Sequence, residues 1–126
     1  MKYLLDTHVF LWSLNNDRRL KNSLREILIN PGNEIYLSIV SAWELGIKLK
    51  TNPGFKLNTS IRETFEISGF EILPITFEHV LPEYKLPLYH KDPFDRMLIC
   101  QAKAESFTLI THDPKIWKYK VKLLKA

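Results

Sequence analysis

Lys2-Tyr3-Leu4-Leu5-Asp6-Thr7-His8 is the stretch from which the fold is read. A short apolar run that stops at a carboxylate and passes straight into helix-type sequence is how an open α/β sheet presents a polar group at its carboxyl edge. Ligands of such sheets bind at that edge. Asp6 therefore anchors a candidate site. The plainer alternative is that Asp6 only caps the helix after it, and the choice turns on whether other carboxylates reach the same edge.

Beyond Asp6, strands and helices alternate. Val9 to Leu14 reads as a short helix, and Asp17-Arg18-Arg19-Leu20 opens a second one that runs to about Asn30, ahead of the stop signal Pro31-Gly32-Asn33. Glu34 to Ser38 is short and β-rich, and Ser38 or Ser41 can cap a helix from Val40 to about Lys50. A helix over Thr59 to Ser68 closes at Gly69, and Phe70 to Leu73 forms a third strand before Pro74. Thr76 to Leu81 is a short helix, and Pro82 to His90 is irregular. Asp92-Pro93 then starts a helix that reaches about Glu105. Phe107 to Ile110 makes a fourth strand, a single helical turn falls around Ile116-Trp117, and Val121 to Leu124 supplies a fifth strand. The expected fold is α/β, a Rossmann-like three-layer α/β/α sandwich with a mainly parallel sheet of about five strands.

Composition bounds the function. The 126 residues are 45% hydrophobic and 25% charged, without a Gly/Ser-rich or proline-rich break, which predicts one domain over 1–126. No segment has the length of a membrane span and the N-terminal pattern is not that of a signal peptide, so a cytoplasmic location and no membrane partner are expected. The lone Cys100 lies in an apolar helical pattern and reads as a core residue. A net charge of +4, with lysines at 115, 118, 120, 122 and 125, suits a polyanionic partner and equally an ordinary solvated surface.

The acids discriminate better. Asp6 ends the first strand and Asp113 lies just past the fourth. Glu44 sits in the first turns of the helix after the second strand, beside Val40, Trp43 and Ile47 at helical spacing, where a glutamate is rarely left unpaired. A simple i,i+4 pair with Lys48 would also account for it. Asp95 falls in the first turn of a helix that runs antiparallel to the fourth strand, and so returns to the same edge. Four carboxylates in one pocket repel unless divalent cations lie between them. Oxygen ligands with neither thiolates nor paired histidines select Mg²⁺ or Mn²⁺ over zinc. Such a site serves phosphoryl chemistry, and a basic surface points to a nucleic acid backbone.

The stretches Leu5-Asp6-Thr7-His8, Ser41-Ala42-Trp43-Glu44-Leu45-Gly46-Ile47-Lys48, His90-Lys91-Asp92-Pro93-Phe94-Asp95-Arg96 and Leu109-Ile110-Thr111-His112-Asp113 together resemble the PIN-domain ribonucleases, in particular the VapC-type toxins of toxin–antitoxin pairs. The resemblance implies a Mg²⁺-dependent endoribonuclease acting on an RNA substrate, inhibited by a small cognate antitoxin protein, and a homodimer. Carried over, Asp6, Glu44, Asp95 and Asp113 match the acidic quartet, as catalytic and metal-binding residues. Thr7 and Thr111 are expected to orient neighbouring carboxylates, and Asp92 to cap its helix or support the site. Lys48 and Arg96 either grip phosphates or pair with acids. His90, with His8 and His112, could touch substrate or hydrogen-bond the acids, although a capping or surface role is the plainer reading. Trp12 and Trp43 are read as packing residues. An aspartyl-phosphate receiver-like signalling domain is the rival, but here Thr7-His8 follow Asp6 and the third strand ends in Leu73-Pro74. A PIN domain that binds RNA without cutting it is a further alternative.

Overall fold

The computed structural model describes residues 1–126. Five strands, β1 (Lys2–Leu5), β2 (Glu34–Ser38), β3 (Glu71–Leu73), β4 (Thr108–Thr111) and β5 (Leu123–Lys125), form one sheet in the order β3-β2-β1-β4-β5. Every pairing is parallel, with Leu4 opposite both Tyr36 and Leu109. Six helices connect them: α1 (Thr7–Leu14), α2 (Asn22–Ile29), α3 (Ile39–Thr51), α4 (Ile61–Ser68), the single turn α5 (Phe77–Val80) and α6 (Pro93–Glu105). No helix is long and apolar enough to cross a membrane.

A parallel sheet covered on both faces must bury successive side chains in opposite directions. Tyr3, Leu5 and Ile110 enter one core with Phe10, Trp12, Leu24 and Phe65 of α1, α2 and α4. Leu4 and Leu109 enter the other, with Leu98, Ile99 and Ala102 of α6. Chain order leaves β1 toward β2 on one side and returns to β4 on the other. The sheet's topological switch point therefore lies between the carboxyl ends of β1 and β4, where open α/β sheets bind ligands.

The elements follow the sequence-based expectation with local corrections. The second helix starts at Asn22 instead of Asp17, because the Asp17 carboxylate takes the backbone N–H, Nε and Nη2 of Arg19 and folds that segment into a turn. The first helix starts earlier, at Thr7, because Asp6 is its N-cap and accepts from the Val9 N–H at 2.8 Å. Pro82 to His90 holds a 3₁₀ turn over Glu83–Lys85. Trp12 is core, whereas Trp43 is 62% exposed and meets Phe94 edge to face at 4.9 Å. The core packing role expected for Trp43 is thereby corrected to a surface contact with Phe94, since α3 buries Val40, Ser41, Glu44 and Leu45 and leaves Trp43 outside that strip.

Candidate functional site

Asp6 is almost wholly buried at the end of β1, and burial pushes its carboxyl above the ordinary value. It stays in place because oriented donors surround it. The Val9 N–H reaches Oδ1, the His112 N–H reaches Oδ2 at 3.3 Å, and the Thr111 hydroxyl contributes a further hydrogen bond. Capping and site membership are thus one function of the same side chain, not alternatives.

Glu44 is buried one turn into α3 and accepts from Thr7 Oγ1 at 2.6 Å, while Thr7 also meets Ser41 Oγ at 2.8 Å. The i,i+4 pair with Lys48 does not form. Lys48 Nζ lies over the Phe55 ring, 5.8 Å from its centroid, which sets aside the ion-pair reading of Lys48. Its flexible stem follows the aromatic ring because Glu44 is already held by Thr7.

Asp92 caps α6, accepting from the Phe94 and Asp95 N–H groups, and Pro93 takes the first helical position. This fixes Asp95 in the first turn. Burial first, then the charges of Asp92 and Glu44, push the Asp95 carboxyl up to about 7. Asp113 follows β4, where its N–H donates to Thr111 Oγ1 at 3.1 Å and its Oδ1 accepts from the Lys115 N–H at 2.9 Å. Thr111 therefore touches both Asp6 and Asp113.

His90 departs from its plainer sequence reading. The ring is neither a cap nor on the surface: it is 8% exposed, with Nε2 2.7 Å from Asp95 Oδ2 and 2.9 Å from Asp113 Oδ2. For Arg96 the second of its two readings, pairing with an acid, holds. Its guanidinium is buried, pairs with Glu83, and donates to the carbonyl oxygens of Glu83, Leu86, Pro87 and His90. No donor is left over for a phosphate. His8 is exposed and lends a favourable charge to Asp6, and His112 packs on Trp12 with Nδ1 on the Ala126 carbonyl oxygen.

The donor set suits a hard divalent cation. Donor atoms of His90, Asp95 and Asp113 lie within 4.8 Å of one another with no thiolate among them, Glu44 is near enough for its charge to act on Asp95, and Asp6 ends the neighbouring strand. The Asp95 carboxyl is raised first by burial and then by the neighbouring acids Asp92 and Glu44, which His90 offsets in part.

Comparison with known proteins agrees with this architecture. No curated protein matches the chain. Among solved structures, VapBC2 from Rickettsia felis, bound to a DNA fragment from its promoter, superposes with a TM-score of 0.75 at 20% identity, covering 99% of this chain and 98% of that one. VapBC-1 from nontypeable Haemophilus influenzae gives a TM-score of 0.70 at 20% identity over 99% and 98%. A toxin–antitoxin complex from Klebsiella pneumoniae gives 0.64 at 22% identity over 98% and 96%. At these identities the likeness is one of fold. The PIN domain profile matches residues 3–122, nearly the whole sequence, and the chain belongs to the PIN domain family.

Proposed function

We propose that this protein is a metal-dependent endoribonuclease, hydrolysing RNA phosphodiester bonds as the toxin of a toxin–antitoxin pair. One observation carries the reading: Asp95 and Asp113 meet around His90 just past β4, beside β1, which ends at Asp6, and Asp95 is raised to about 7 by burial and by the charges of Asp92 and Glu44. Asp6, Asp95 and Asp113, with Glu44 behind them, would hold Mg²⁺ or Mn²⁺. A divalent cation bound there neutralises phosphate charge and makes water a better nucleophile.

The chain's own groups do the rest. Backbone N–H groups fix Asp6, and Thr7 fixes Glu44, so the carboxylates need little reorganisation. Lys125 pairs across the sheet with Thr111 and places Nζ 4.9 Å from the Trp117 ring, whose Nε1 donates to the Thr111 carbonyl oxygen. Exposed Lys115 lies beside Asp113, and these two exposed lysines support a grip on phosphates flanking the cleaved bond. Solved relatives include toxin–antitoxin complexes, which supports a small antitoxin partner covering the pocket. Exposed Trp43, Phe77 and Tyr84 support a second copy covering an apolar face, as the resemblance implies.

The receiver-like alternative lacks a phosphoacceptor, since β3 ends in Leu73-Pro74, and a non-cleaving PIN domain would not need all four acids. The test is incubation of total cellular RNA with purified, antitoxin-free protein in Mg²⁺, in Mn²⁺ and in EDTA. Discrete fragments that require metal support the proposal, and no cleavage by folded, metal-loaded protein refutes it.

A further inference from the structure

We infer that the His90 imidazole is itself a ligand of the cation in this pocket, making the centre a mixed oxygen–nitrogen site that favours Mn²⁺ over Mg²⁺. The inference rests on the metal-dependent reading above. Nε2 of His90 stands 2.7 Å from Asp95 Oδ2 and 2.9 Å from Asp113 Oδ2. Neighbouring ligands around a cation with bonds of ~2.1 Å stand roughly 3 Å apart, so these donors already have the spacing of one ligand shell. Carboxylate oxygens serve Mg²⁺ and Mn²⁺ alike, whereas an imidazole nitrogen is a donor of transition-metal cations.

The second observation is how the ring is presented. Residues 83–90 form a strap lying against α6, and the buried Arg96 guanidinium holds it by four backbone carbonyl oxygens, the last that of His90 at 3.1 Å. From β4's far side, the Tyr119 hydroxyl accepts the His90 N–H at 3.0 Å. A buried guanidinium is costly unless its donors are satisfied, and here satisfying them aims one imidazole at two carboxylates. Ligand histidines are held in this way by groups that never touch the metal. The same distances also describe an Nε2–H shared between the two carboxylates, with Nδ1 3.4 Å from the Asp92 N–H. A contact of that length is at the outer edge of hydrogen bonding and does not fix which ring nitrogen bears the hydrogen.

Mn²⁺ is the probe. Pulsed EPR of Mn²⁺ bound to the purified protein reads nitrogen coupling directly, and calorimetric titration with Mn²⁺ and Mg²⁺ reads selectivity. Wild type, His90→Gln and His90→Ala are compared, with circular dichroism confirming the fold of each. The expected result is ¹⁴N coupling in wild type that disappears in both variants, with Mn²⁺ affinity lowered roughly tenfold or more and Mg²⁺ affinity lowered less. Mn²⁺ bound without ¹⁴N coupling, or bound as tightly or more tightly by His90→Ala, overturns the assignment and leaves the nuclease proposal standing. No Mn²⁺ binding by the folded wild type overturns both.

Discussion

Asp95 and Arg96 are consecutive residues in the first turns of α6, and they sit in opposite electrostatic surroundings. Arg96 is buried and fully bonded, its charge met by Glu83 and its N–H groups by four carbonyl oxygens and the Tyr119 hydroxyl. Asp95 is partly buried among Asp92, Glu44 and Asp113, with His90 alone to offset them, and its carboxyl rises to about 7. The first arrangement is architecture, since every group has its partner. The second is a group of acids that the protein's own cations do not fully offset, beside the edge where such sheets bind ligands. Removing a partner should therefore cost stability at Arg96 and activity at Asp95.

The largest effect is expected at Asp6. Asp6→Asn keeps a side chain able to cap α1 but loses the charge, and should reduce RNA cleavage by ~10³-fold or more while the protein remains folded; fragment yield against time, beside a melting curve, checks both halves. Arg96→Met is the converse. It strands Glu83 and four carbonyl oxygens, and should lower the unfolding free energy by an amount near the low end of ~3–5 kcal/mol, because Glu83 is a third exposed. Urea unfolding measures it, and a loss under ~1 kcal/mol would erase the distinction drawn between the two neighbours.

The pH dependence sharpens the contrast. In the folded protein Asp95 is raised from 3.8 to about 7. The folded state thus favours the protonated acid, a contribution fully present below pH 3.8 and lost as pH rises through about 7. In EDTA, the melting temperature of wild type should fall over that interval relative to Asp95→Asn, and Mn²⁺ should restore it. Parallel pH profiles for the two proteins would contradict the surplus-charge account. At a smaller scale, Thr7→Val leaves buried Glu44 without its donor and should cost ~1–3 kcal/mol by the same urea assay. Smallest, Lys115→Ala and Lys125→Ala should each flatten the salt dependence of RNA binding by about one unit of slope, read by titration across salt concentrations.

The two neighbours also show which features a linear sequence carries. Asp6, Glu44, Asp95 and Asp113 could be named as candidates because strand endings, helix starts and the Asp92-Pro93 cap are local signals, and the order of strands and helices that they imply along the chain is that of the structure. Arg96 was ambiguous because its partners are set by the strap over 83–90, which has no periodicity to read. His90 could be offered as a partner of the acids but ranked below a cap or surface residue for the same reason: Arg96 and Tyr119 aim it, and Tyr119 lies 29 positions downstream. The lone clue was its place five residues before Asp95. Trp43 was misread because it shares helical spacing with Val40 and Ile47, yet the buried strip of α3 runs through Val40, Ser41, Glu44 and Leu45 and leaves Trp43 and Ile47 exposed.

The most direct test of the central claim is RNA cleavage by Asp95→Asn in Mn²⁺, normalised to the fraction folded at the same temperature. The account predicts a variant that melts at or above the wild-type temperature in EDTA and yields no discrete fragments. A folded Asp95→Asn protein that cleaves at the wild-type rate would contradict it.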